Sequence, residues 1–198
     1  MARNWISPVG ASLAVVFISG ILAGCGGGGA STVVAVEAAS SPAPSEDAQL
    51  LDKVLSRQEA AVEALAAVGP TLPPRLARMA AYFRAQEQEH VDSVLKALRG
   101  LGSPAEPTPE PIEPGDLKSD RERLVFLYEV ESATIDEELS AISKLEAPWP
   151  RSLLASTVAN QAQHLTLLRQ ALGAGPLASV PGPFENGTTP PPEASAPP

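Results

Sequence analysis

Six polar side chains recur at spacings that would let them act together. Glu87 precedes His90 by three residues, and Gln161 precedes His164 by three. On a helix that step puts both side chains on one face. Gln58 stands 29 residues before Glu87, and Glu131 stands 30 before Gln161. The stretches Gln86-Glu87-Gln88-Glu89-His90 and Asn160-Gln161-Ala162-Gln163-His164 therefore read as two copies of one unit, each followed by a Leu/Arg-containing turn that ends in Gly. Two carboxylates and two imidazoles, from Glu87, His90, Glu131 and His164, suit a single divalent ion such as zinc, iron or manganese. The same groups, completed by the amides of Gln58 and Gln161, also suit a metal-free hydrogen-bond network in which the glutamates pair with the histidines. The residue types leave both readings open.

The surrounding residues predict what positions these groups. Apolar side chains recur at three- and four-residue steps in four segments. The stripes run through 51, 54/55, 58, 62 and 65; through 76, 79, 83, 87, 90, 94 and 98; through 124, 127, 131, 135, 139 and 142; and through 154, 158, 161, 164, 168 and 172. All six polar residues fall on these stripes, whereas Glu59 and Glu129 fall off them and read as solvent residues. No segment alternates with period two, so no sheet is expected. Short Pro- and Gly-marked connections pair helices 1 with 2 and 3 with 4 as antiparallel hairpins. The linker 101–116 between the hairpins contains Pro104, Pro107, Pro109, Pro111 and Pro114. Extended at about 3.1 Å per residue it reaches roughly 50 Å, enough to run the roughly 38 Å length of a 25-residue helix. Length alone also permits a loop that returns at the same end.

With that inward phase, duplicated spacing and crossover, residues 48–173 resemble the ferritin-like family of four-helix bundles. The resemblance implies an all-α fold of two helical hairpins joined by a long crossover. It also implies a central metal site, with one Glu from one helix of each hairpin and Glu-x-x-His from the other. Its pattern places glutamates at 58 and 161, where this chain has glutamines. Four Glu with neutral His carry about −4 and balance two divalent ions; the present set carries −2. The resemblance thus implies a reduced site for one divalent ion (iron, manganese or zinc), or a degenerate, non-catalytic binding or structural module.

The N-terminus carries a different signal. Arg3 is followed by an apolar run, Val9–Ala23, and then by Leu22-Ala23-Gly24-Cys25. A basic start, a short apolar run and small residues before a cut site define a secretory signal. The ending resembles the bacterial lipobox, which implies a lipid on Cys25. The run of about 15 residues is short of the roughly 20 a membrane-spanning helix needs. The expected organisation is a signal peptide over 1–24, the lipid-bearing Cys25 and a flexible tether over 25–45, the bundle over 46–174, and a Pro-rich disordered tail over 175–198. The expected location is the extracytoplasmic face of the cell membrane, and no disulfide can form within a chain of one cysteine. The formal charge of −9 becomes −10 once Arg3 is removed with the signal peptide. Such a chain, with no basic cluster, is not expected to bind nucleic acid. Few aromatics argue against a stacking site. Ser56 and Ser132 lack a nucleophile motif, no Gly-rich loop follows a strand, and the sequon Asn186-Gly187-Thr188 has no expected use in a bacterial lipoprotein.

Overall fold

The computed structural model describes residues 45–103 and 111–181. The signal peptide, Cys25 and the tether up to residue 44 lie outside the described residues, as do 104–110 of the linker and 182–198 of the tail. Among the described residues there are four α-helices and no strand: α1 (Glu46–Val68), α2 (Pro74–Gly100), α3 (Asp120–Lys144) and α4 (Pro148–Ala171). None is long and apolar enough to cross a membrane.

The helix ends are written in the local sequence. The Ser45 hydroxyl caps α1 by accepting from the Ala48 amide, with Glu46 and Asp47 in the first turn, where acids favour the helix dipole. At the end of α1 the chain tightens into a single 3₁₀ turn, Gly69–Thr71. A Cβ on Gly69 would lie 3.1 Å from that of Ala80, a tight contact that glycine avoids where α2 approaches. Pro74 opens α2 and Pro148 opens α4; a missing amide proton costs nothing in a first turn. Ser119 and Glu122 form a reciprocal capping box on α3.

Side-chain contacts fix the directions of the helices. α1 packs on α2, α3 on α4, and α1 on α3; α2 and α4 pack least closely. Asp47 at the start of α1 accepts from the amides of Glu146 and Ala147, beyond the end of α3, at 2.8 and 2.9 Å. α1 and α3 are therefore antiparallel, which makes α2 and α3 parallel. The connection from Leu101 to Ser119 must then run from one end of the bundle to the other. Its described part does so along the α1–α3 face: Ile112 packs near Ala61, Ala64 and Val130, and Leu117 packs on the far apolar cluster. The returning loop that length alone permitted is not the one used.

The core is divided by height. One apolar cluster contains Leu65, Phe83, Leu124, Leu127, Tyr128 and Leu168. The other contains Leu51, Leu55, Val94, Leu98, Leu145 and Leu154. The polar residues lie between them. At the tail, residues 175–181 hold a turn rather than lacking structure: Ser179 is buried, and its hydroxyl accepts from Gln170 at 3.1 Å.

Asp47 links the α1 terminus to the α3–α4 turn through two hydrogen bonds. Asp47→Ala leaves two backbone amides without their partner and should lower unfolding stability by about 1–3 kcal/mol. Urea unfolding followed by helical circular dichroism reads this directly; an unchanged midpoint would show that water replaces the carboxylate.

Candidate metal centre

α2 contributes Glu87 and His90, α3 contributes Glu131, and α4 contributes Gln161 and His164; Gln58 enters from α1. Gln58, Glu87, Glu131, Gln161 and His164 are all buried. One ligand atom each from Glu87, Glu131 and His164 lies within 4.8 Å of the others. His164 is the hub. Its Nδ1 is 3.3 Å from Glu131 Oε1 and 3.5 Å from Glu87 Oε1, and its Nε2 is 2.8 Å from Gln86 Oε1. Phe83 stacks on its ring at 4.1 Å between centroids. His90 stands outside this group: its Nδ1 is 3.3 Å from Glu87 Oε2, and its side chain is 15 % exposed. It lines the edge of the polar layer on α2, one turn from Gln86.

Two residues that the sequence reading did not single out complete the layer. Glu138 is fully buried and accepts from Gln58 Nε2 at 2.8 Å and from Gln161 Nε2 at 3.2 Å. Gln161 Nε2 also lies 3.2 Å from Glu87 Oε2. The α3 stripe was expected to continue through Leu139, but Leu139 is 37 % exposed. The correction follows from helix geometry. At about 100° per residue, Glu138 falls within about 20° of Glu131, while Leu139 falls about 80° away. Glu138 raises the buried carboxylates from the two counted in sequence to three. Gln86 carries no comparable signal, because its role depends on where His164 sits across the bundle. Glu59, expected in solvent, is partly buried, and that burial raises its pKa, with Glu63 adding.

The arrangement has a surplus of acceptors. Gln58 Oε1, Glu131 Oε2, Glu138 Oε2 and Gln161 Oε1 are buried and have no donor, and Glu87 Oε1 has only the long contact to His164. Unanswered oxygens in a dry interior are costly, and a cation is what answers several at once. The donor set fits one divalent ion: Glu87 and Glu131 match its charge, and His164 offers an imidazole nitrogen. It does not fit two, because Gln58 and Gln161 are neutral. Gln86 would fix the useful tautomer by accepting from Nε2–H, which leaves Nδ1 free to ligate.

The chain matches no protein-family model and no curated protein. Several solved structures share its fold, two of them as follows. One is a conserved hypothetical protein, rv2844, from Mycobacterium tuberculosis, at 17 % identity and TM-score 0.58, covering 63 % of this chain and 96 % of that one. The other is described as a ferritin-like, diiron-carboxylate protein from Bacillus anthracis, at 19 % identity and TM-score 0.57, covering 65 % of this chain and 99 % of that one. The fold is thus a ferritin-like four-helix bundle.

Without metal, the layer must settle its charge by protons. Burial opposes the charge on His164, but its contacts with Glu131 and Glu87 outweigh that and raise it to about 9. Burial also works against ionised Glu87, yet the contacts from His164 and His90 hold it down at about 2. Burial and then the Glu87 charge push Glu131 up to about 7. Burial pushes Glu138 well above the carboxylate range, although Gln58 opposes it. The signs combine on the alkaline side. The His164 contribution to stability is complete below 6.5 and is lost as pH rises through about 9. The raised Glu131 contributes below 4.5 and loses that by about 7. Glu87 works the other way, losing its contribution only as pH falls from 4.5 through about 2. Metal-free protein should therefore unfold at lower urea at pH 9.5 than at pH 5, and His164→Gln should flatten the part of that profile above pH 7. A flat wild-type profile would contradict the pairing.

Proposed function

We propose that this ferritin-like chain is a lipid-anchored protein of the bacterial cell envelope that holds one divalent metal ion as a binding module. The observation that carries the reading is the cluster of buried oxygens lacking donors around Glu87, Glu131 and His164. A purely structural network would satisfy its acceptors, because each orphan weakens it. The diiron-carboxylate description of the Bacillus anthracis protein supports iron among the candidate ions. Gln58 and Gln161 favour a reduced site over a two-metal oxidoreductase. A bound ion would supply positive charge and Lewis acidity there. The protein's part is to hold the carboxylates close, to orient His164 through Gln86, and to shield its ring beneath Phe83.

The anchoring half of the proposal rests on Leu22-Ala23-Gly24-Cys25. Several acyl chains on one cysteine would hold the chain firmly, at about 0.8 kcal/mol per buried methylene. The wild-type chain should partition with membranes and carry a lipid mass on its N-terminal peptide. Cys25→Ser should stay unlipidated; recovery of the unmodified wild type in the soluble fraction would refute the anchor.

Elemental analysis of the purified mature chain, after exposure to Fe²⁺, Mn²⁺ or Zn²⁺, tests the site. The expectation is about one ion per chain. His164→Ala or Glu131→Gln should remove it, and Gln86→Leu should weaken it by about 10–100-fold, the usual cost of losing the partner that orients a ligating histidine. No uptake of any of the three metals would end the metal reading.

A further inference from the structure

The glutamine at 161 does more than fail to supply a charge. Its amide nitrogen lies 3.2 Å from Glu87 Oε2 and 3.2 Å from Glu138 Oε1, so it sits where two carboxylates from different helices converge. That is where electrostatics would draw a second cation. Gln58 reinforces the arrangement by donating to the same Glu138 oxygen at 2.8 Å. An amide NH₂ carries the positive end of its dipole and has two protons to give, so it can serve two acceptors at once. Glu138, Gln58 and Gln161 are each fully buried, which leaves no solvent route for the amides to turn elsewhere.

We propose that the Gln161 amide, with Glu138 and Gln58 as its brace, stands in for a second cation and confines the bundle to one ion. This rests on the one-ion reading above and extends it to the other half of the layer. Glu138 is then a positioning residue: it holds the two amides in place and does not ligate. The residues that decide metal number are Gln58 and Gln161. Converting both to glutamate removes the amide protons, adds two ligand oxygens and supplies the charge for another divalent ion.

The test uses the full mature chain loaded with Mn²⁺ alone, read by elemental analysis and electron paramagnetic resonance. Wild type should take up about one ion per chain, with the spectrum of isolated Mn²⁺. The double variant Gln58→Glu/Gln161→Glu should take up two and show an exchange-coupled pair. A folded double variant that still binds one ion, or a wild type that binds two, overturns the proposal. A wild type that binds none rejects the one-ion reading itself, and this proposal with it. Should circular dichroism show the double variant unfolded, Glu138→Gln decides. A glutamine there can still accept from both amides, so one ion should remain with affinity within about threefold of wild type. Loss of the ion from that variant would make Glu138 a ligand and refute its role as a brace.

Discussion

Carboxylates enclosed between two apolar clusters must be answered by positive charge, by protons or by donors, and every helix of this bundle is placed by that demand. Glu87, Glu131 and Glu138 come from two helices and meet at mid-height. His164 answers the first two through a single nitrogen, while its other nitrogen is tied to Gln86. The amides of Gln58 and Gln161 answer the third. The layer therefore requires all four helices in register. A one-residue slip of any helix would rotate its contribution by about 100° and strand a charge in the core. The apolar clusters above and below supply the burial that stabilises the fold, but they would tolerate slips of three, four or seven residues, which return the apolar stripe to the same face. The polar layer selects one.

Much of this was legible in the chain. The apolar stripes placed five of the six polar residues in the interior, and the duplicated i, i+3 pairs pointed to two similar hairpins. The crossover was legible only as a possibility of reach; the Asp47 bonds to the α3–α4 turn make it necessary. Glu138 was overlooked for a physical reason. An apolar neighbour, Leu139, sat close enough to the expected phase to be taken for the inward residue, although the angular offset favours the acid. Hydrophobicity is a good guide to the inward face only where the interior is apolar, and at mid-height it is not. Gln86 was beyond reach, since a contact between α2 and α4 leaves no mark on either helix alone. His90 shows the converse: it has the right spacing from Glu87, yet its side chain stands partly exposed at the edge of the layer.

The departures from the ferritin-like pattern are also not independent of one another. Where that pattern has glutamates this chain has Gln58 and Gln161, and Glu138, two turns along α3 from Glu131, accepts from both. The two amides in one half of the layer thus have their own acceptor in Glu138. The half retaining Glu131 and His164, joined by Glu87, keeps a compact ligand group.

α2 and α3 run the same way, the described part of the chain between them lies along the α1–α3 face, and both apolar clusters draw side chains from each hairpin. Neither hairpin holds a whole site: Glu87 belongs to the first, Glu131 and His164 to the second. An ion at the centre would thus add a clasp between two hairpins already joined by shared apolar contacts. The hold of one hairpin on the other would then gain, on top of its apolar part, a share set by the supply of metal.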